Sequence, residues 1–326
     1  QIVGEGYHVK AGEGHAEANA LAQAGDRSKG STVYVTLEPC SFHGRTPSCA
    51  EALIKAGVSR VVAAREDPDS RNAGKGFEKL RDAGIVVELL PSESADQLVR
   101  GHLKRYCEQK PFIRLKLAMT LDGKTALRNG NSKWITSAEA RADVQKLRAE
   151  SSAIVTGVQT VIDDDPRLQV REILPEIKHR AEALSVERPV YILDSNLRAP
   201  ESAQLLTRDS VLQVCVEGVA SKVNQARYLE MPAAQGRVCL ESFVATLAER
   251  EHSMVLFECG ATLAGAMLNR ALVDELIIYV APRLIGSSGR SLLNLQEIDR
   301  MSELVELSIN DVRQIGPDIR ISAGRD

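Results

Sequence analysis

The chain has 326 residues, enough for two domains with ample cores, and its 44% hydrophobic and 26% charged residues are ordinary for a globular protein. A formal net charge of −3 offers no general attraction to nucleic acid or anionic lipid, and no apolar run approaches the ~20 residues that a membrane helix needs. Six cysteines over this length do not read as a disulfide framework, which fits a reducing cytoplasm.

In chain order, short β-rich runs alternate with helical patterns. Strands are expected over 2–7, 32–37, 58–63 and 85–89, with helices over 16–24, 50–56 and 75–83, each closed by an Ala-Gly pair. This alternation predicts a layered α/β sheet. Ser94 and Gln97 have capping-box spacing for a last helix to about residue 107. Pro111 cannot continue that helix, so a domain boundary is expected there, giving units 1–107 and 111–326. Ile113, Leu115, Leu117 and Met119 then alternate with Arg114, Lys116 and Ala118, the period of a strand. Thr136 and Glu139 form a second capping box, opening a helix to about residue 149. Strands are expected near 153–156, 190–193, 211–216, 254–258 and 276–280. The polar stretch 172–188, interrupted by Pro175, reads as a surface excursion.

The chemistry concentrates first around His15, Glu17, Cys40 and Cys49. A zinc site that activates water needs three protein ligands, an open fourth position and a carboxylate that moves protons without binding the metal. His15 and Glu17 are two apart and cannot share a mid-helix face, yet both can point into one pocket at a first turn. Cys49 opens the next helix, where an N-terminus favours a thiolate. The plain alternative is a lone histidine with cysteines acting as small buried hydrophobes. His43 as a fourth ligand would make the site closed and structural. His-x-Glu with a later Pro-Cys and second Cys is the zinc-deaminase signature, except that eight residues, not two, separate the cysteines.

The second half is less explicit. Residues 258–265 join an apolar strand to a helix through Gly260, a turn whose backbone N–H groups suit a phosphate, or which simply packs helix on sheet. It matches neither a Walker loop nor GxGxxG. Asp163, Asp164 and Asp165 before Pro166 read as a solvated helix end. Trp134, the only tryptophan, reads by itself as core.

The insertion Cys-Ser-Phe-His-Gly-Arg-Thr-Pro-Ser-Cys over 40–49 resembles the bifunctional deaminase–reductase family of riboflavin biosynthesis. So do Thr36-Leu37-Glu38-Pro39, Asp67-Pro68, Gly74-Lys75-Gly76, Leu121-Asp122-Gly123, Trp134-Ile135-Thr136-Ser137, Glu258-Cys259-Gly260 and Val273-Asp274-Glu275-Leu276, in order along nearly the whole chain. The resemblance implies an α/β protein with a cytidine-deaminase-like αβα domain over 1–107 and a dihydrofolate-reductase-like domain over 111–326. It also implies an upstream helix and strand with an Asn-Pro loop. The chain therefore reads as a fragment, expected to deaminate poorly.

The activities implied are zinc-dependent deamination of a diaminopyrimidinone ribosyl phosphate, then NADPH-dependent reduction of its ribosyl chain. His15, Cys40 and Cys49 would hold zinc and Glu17 would relay protons. By the same resemblance Ala118, Trp134, Thr160, Asp164 and Ser195 line NADPH, while Gly260, Ala261, Thr262, Leu263, Ala264, Gly265 and Ala266 wrap its phosphates. Ser132, Arg148, Leu168, Arg171 and Glu258 contact substrate. Guanidinium forks at Arg148 and Arg171 suit a sugar phosphate. Lys116 and Glu258 are assigned to proton transfer, with surface salt bridges as the alternative. A homo-oligomer acting on a small molecule, without nucleic acid or membrane, is expected. Two rival readings are a polynucleotide deaminase with 111–326 as an RNA-binding appendage, and a zinc-stabilised ligand sensor. An aromatic content of 4% and the acidic balance count against the first, and the free Glu17 against the second.

Overall fold

A computed structural model describes residues 1–10, 12–171, 180–219 and 227–325. The chain divides into two units, Gln1–Glu108 and Gln109–Asp326.

The first unit runs α1 (Ala16–Ala24), β1 (Thr32–Val35), α2 (Cys49–Lys55), β2 (Arg60–Ala63), α3 (Lys75–Asp82), β3 (Val86–Leu89) and α4 (Glu93–Glu108). The strands form a parallel sheet in the order β1-β2-β3, with Val33, Val61 and Val87 in register. Ala50 and Leu53 from α2 and Leu80 from α3 pack with Val58, Val61 and Ile85 into one buried cluster. The turn after α2 needs Gly57 at φ +68°, where its N–H caps the Ile54 carbonyl at 3.0 Å.

Two expectations fail here. Residues 2–7 form no strand, because their backbone is taken up by the neighbouring helical segment. Gln23 accepts the Glu5 N–H, Asn19 donates to the Tyr7 carbonyl, and Arg27 donates to the Val3 carbonyl. A Cβ at Gly4 or Gly6 would come within 2.3 Å of the Ala20 or Ala16 carbonyl, so only glycine allows this approach. The cap of α4 is Ser92, whose Oγ accepts the Ala95 N–H at 3.4 Å, not Ser94.

The second unit runs β4 (Phe112–Thr120), β5 (Lys124–Ala126), α5 (Ala138–Glu150), β6 (Ala153–Gly157), α6 (Val158–Asp164), α7 (Arg180–Ser185), β7 (Val190–Leu193), β8 (Val211–Val216), β9 (Tyr228–Met231), β10 (Ala233–Ala234) and β11 (Arg237–Val238). It continues with α8 (Leu240–Glu249), β12 (Met254–Glu258), α9 (Ala261–Asn269), β13 (Glu275–Ala281), β14 (Arg290–Ser291), β15 (Ser308–Ile315) and β16 (Asp318–Gly324). The main sheet has the order β15-β16-β13-β4-β12-β6-β7-β8-β9. From β13 to β9 every pairing is parallel, whereas β16 and β15 are antiparallel.

Parallel strands covered on both faces read as apolar runs, and Val190–Leu193 is buried throughout. The alternation in β4 divides its side chains between faces. Ile113, Leu115 and Leu117 join the core with α8 and α9, while Ala118 packs with α5, Leu256 and Tyr279 on the other face. The cap of α5 is Ser137, whose Oγ accepts the Ala140 N–H at 3.1 Å, and not Thr136. In the expected surface excursion, residues 172–179 lie outside the described residues, and the rest contains helix α7. Among the described residues no helix is long and apolar enough to cross a membrane.

Two candidate active sites

His15 is the N-cap of α1, with φ −68° and ψ 168°, so its ring leaves the helix axis while Glu17 occupies the first turn. Cys49 starts α2 beneath a Ser48 cap whose Oγ accepts the Glu51 N–H. Cys40 reaches the same place on the turn after β1. His15 Nδ1 lies 3.7 Å from Cys40 Sγ and 3.3 Å from Cys49 Sγ. All three donor atoms fall within 4.8 Å of one another. Zinc–nitrogen and zinc–sulfur bonds at a tetrahedral angle require donors roughly 3.6 Å apart, so this trio fits zinc.

The Cys49 thiol and N–H both donate to the Cys40 sulfur, the latter at 3.2 Å, and hold the Cys40 pKa down at about 6 against the effect of burial. As the donor in that pair Cys49 is pushed up, with burial and the nearby Glu17 carboxylate adding to the rise. Glu17 is thus beside the trio but outside the donor group. His43 is not a fourth ligand. Its side chain is 66% exposed and its Nδ1 lies 3.9 Å from Glu51.

Sequence reasoning missed what builds the Cys40 turn. The buried Glu38 carboxylate accepts the N–H groups of Asp67, Gly74, Gly76 and Phe77 at 2.8 to 3.2 Å. Gly76 approaches so closely that a Cβ would sit 2.0 Å from the Pro39 carbonyl. Glu38, two residues before Cys40, and the Gly-Lys-Gly run were the available signals.

The second unit carries a cleft of about 1900 Å³ at the carboxyl ends of its parallel strands. The β4–β12 register sets Glu258 directly beside Lys116. Arg148 on α5 donates to Glu258 with Nε at 2.5 Å and Nη2 at 2.9 Å, and with Nη1 to the Gln169 carbonyl at 3.1 Å. These groups are not surface salt bridges: Glu258 is 9% exposed and Arg148 8%. Burial pushes the Glu258 pKa up, but the charge and hydrogen bonds of Arg148, with Lys116 and Arg171, outweigh it and leave it below the usual range. Burial pulls Lys116 below the usual lysine range, Glu258 opposing and Arg148 reinforcing. Arg148 is expected on a phosphate; Glu258 and the Gln169 carbonyl take three of its five N–H donors. The Arg171 guanidinium has no ion-pair partner among the described residues.

Gly260 is the N-cap of α9, and Thr160 stands on the first turn of α6, its Oγ1 3.9 Å from a Cβ built on Gly260. Two helix N-termini therefore meet over adjacent strands β6 and β12, a setting suited to a pyrophosphate. Gly260, Ala261, Thr262, Leu263 and Ala266 line the cleft. Ala264 is fully buried in the core, and a Cβ on Gly265 would meet the Asn294 carbonyl at 2.0 Å, so both face away from it. Ala118 and Ser195 line the cleft, and Ser132 donates to Asp164 there at 3.2 Å. Leu168 also borders it but is 4% exposed and packs with Ile154 and Val158. Trp134 is not core. It is 61% exposed at the cleft, with the Arg141 guanidinium 4.5 Å from its ring centroid.

Residues 1–65 match the family described as the cytidine and deoxycytidylate deaminase zinc-binding region, and residues 111–321 match the RibD C-terminal domain. The chain is 43% identical over 328 residues to riboflavin biosynthesis protein RibD of Escherichia coli, covering 98% of this chain and 89% of that protein. It is 43% identical over 327 residues to the protein of the same name from Haemophilus influenzae, covering 99% and 88%. Among solved structures it is similar to Acinetobacter baumannii RibD, with TM-score 0.89 and 41% identity over 100% of this chain and 89% of that one. It is also similar to a diaminohydroxyphosphoribosylaminopyrimidine deaminase/5-amino-6-(5-phosphoribosylamino)uracil reductase from Thermotoga maritima, with TM-score 0.83 and 27% identity over 99% and 88%.

Proposed function

The chain belongs to the RibD family of bifunctional riboflavin-biosynthesis deaminase–reductases, and from that premise we propose how its own residues divide the work. It has a cytidine-deaminase-like zinc domain and a reductase domain of dihydrofolate-reductase-like fold, which we place at 1–107 and 111–326. The substrate of the first is a diaminopyrimidinone ribosyl phosphate, and the second reduces the ribosyl chain of the deaminated product to ribityl. A cytoplasmic homo-oligomer without a nucleic-acid partner completes the reading, and the net charge of −3 supports the last of these points.

Zinc held by His15, Cys40 and Cys49 supplies Lewis acidity to a water molecule, and NADPH in the cleft supplies a hydride. Glu17 takes a proton from the attacking water and gives it to the ring nitrogen beside the carbon attacked. It then passes the remaining hydroxyl proton to the departing amino nitrogen, so that ammonia leaves as the ring carbonyl forms. In the second site Arg148 holds the Glu258 carboxylate in one orientation. Glu258 in turn steadies the Lys116 ammonium, which gives its proton to the ribose ring oxygen as the bond from that oxygen to C1 is lost and C1 takes the hydride. Arg171, with free donors, takes the substrate phosphate. Ala118, Trp134, Thr160, Asp164, Ser195 and the 260–263 turn hold the dinucleotide, with Ser132 and Leu168 toward the substrate.

The observation that carries this reading is the convergence of one imidazole and two sulfurs with Glu17 beside them but outside the donor group. The test follows ammonia release and NADPH oxidation separately, before and after the metal is stripped. Ammonia release is expected to stop without zinc, while NADPH oxidation with the deaminated phosphate continues. Zinc-independent ammonia release would refute the assignment of the first site.

A further inference from the structure

Asn72 is 0% exposed, a position where a primary amide is stable only with its polar atoms partnered. Its Oδ1 accepts the Ser41 N–H at 2.8 Å. Its Nδ2 donates to the Pro39 carbonyl at 3.4 Å and to Asp67 Oδ2 at 3.2 Å. Pro39 and Ser41 are the two chain neighbours of Cys40, so one rigid amide grips the backbone on both sides of that residue.

The grip is itself anchored. The Asn72 N–H donates to the Asp69 carbonyl at 2.7 Å, and its own carbonyl accepts the Lys75 N–H at 2.7 Å. Asp67 is fixed in turn by the Asp69 N–H at 3.0 Å and by His102 Nε2 at 2.9 Å. On the opposite side the Cys40 carbonyl accepts from Ala50 N at 3.1 Å and Ser48 Oγ at 2.9 Å. With both flanking peptides and its own carbonyl tied, Cys40 keeps only side-chain rotation as a free coordinate.

We propose that Asn72 is a positioning residue for the Cys40 sulfur, fixing the 39–41 turn so that the sulfur stays at bonding distance from the point shared with His15 and Cys49. This rests on the reading of those three residues as the zinc site. Groups that orient a metal ligand without touching the metal commonly alter affinity by about 10–100-fold. Removing the Asn72 side chain frees the turn and leaves the buried Ser41 N–H and Pro39 carbonyl without this partner.

The test uses the full chain loaded with zinc or with cobalt(II). Zinc release into excess chelator and the thiolate-to-cobalt absorption band are measured for the parent, Asn72→Ala, Asn72→Asp and Val61→Ala. Val61 is a fully buried strand residue remote in sequence from the turn, and its truncation controls for general loss of stability. Asn72→Ala is expected to release zinc at least about tenfold faster with a weakened or shifted cobalt band. Asn72→Asp, which keeps the acceptor for Ser41, is expected to lie between that variant and the parent, and it carries the test should Asn72→Ala fail to fold. Val61→Ala is expected to lower Tm while leaving release rate and band unchanged. Parental release and spectrum in the folded Asn72 variants, or equal acceleration in Val61→Ala, overturns the positioning role. A parent lacking any thiolate-to-cobalt band overturns the zinc site itself and the proposal with it.

Discussion

Arg148 and Glu258 meet fork to fork inside the second unit, Nε to Oε1 at 2.5 Å and Nη2 to Oε2 at 2.9 Å. The pair joins α5 to β12 and cancels its own charge. Lys116 and Arg171 are the further cations of this cleft that lie close enough to Glu258 to lower its pKa. A phosphate role for Arg148 would fall to the two N–H groups that Glu258 and Gln169 do not take.

Arg148→Ala should therefore act on stability before it acts on substrate. It strands a buried carboxylate, a change that typically costs about 3–5 kcal/mol. Trp134 is the only tryptophan and belongs to the second unit, so its fluorescence in a denaturant titration reports that unit alone. An unchanged midpoint would count against the pairing. Arg148→Lys keeps the charge but loses the fork and should fall between.

Arg171→Ala should do what was first expected of Arg148. Loss of one charge-assisted contact should raise KM for the deaminated phosphate by roughly 10–100-fold. KM for NADPH and the Trp134 unfolding midpoint should change little. The loss should vanish with a dephosphorylated substrate, and a loss that persists there would place Arg171 elsewhere.

Lys116 supplies a pH signature. Burial pulls its pKa below the ordinary lysine range, the Glu258 charge opposes the fall, and Arg148 adds to it. A protonated Lys116 that donates in the reaction loses function as pH rises through that lowered pKa, giving an alkaline limb in reductase kcat. Glu258→Gln removes the attraction that holds the pKa up and leaves the repulsion of Arg148. The limb should then move to lower pH in the residual activity, as measured by a kcat–pH profile. Movement to higher pH would exclude Lys116 as its origin.

The zinc trio was legible because each ligand stands at the end of a short element, within 35 residues, beside punctuation that sequence displays: a helix cap, a proline and a second helix start. Strands β7, β8 and β12 were legible because strands covered on both faces must be apolar runs. The β15–β16 hairpin was not, since β15 is an edge strand with polar residues and a register shift between Ile309 and Asp311. Residues 2–7 had strand composition, but hydrogen bonds to the side chains of Asn19, Gln23 and Arg27 took the place of a ladder. The Arg148–Glu258 pair joins residues 110 apart, and no local spacing announces it. Asn72 was invisible for the same reason: its importance lies in two backbone groups more than thirty residues away.

The first site separates metal holding from proton transfer, and two variants should separate them in turn. Cys40→Ser/Cys49→Ser removes two of three soft donors, so metal analysis should find zinc largely lost. Glu17 is outside the donor group, and Glu17→Gln preserves its shape while removing the proton acceptor. That variant should keep one zinc per chain and lose deamination by roughly 10²–10⁴-fold, the usual contribution of a general acid–base group. Its NADPH oxidation with the already deaminated phosphate should match the parent, because Lys116, Glu258 and the rest of that cleft are untouched. Zinc loss in Glu17→Gln would make Glu17 a ligand, and parental ammonia release would remove it from the chemistry.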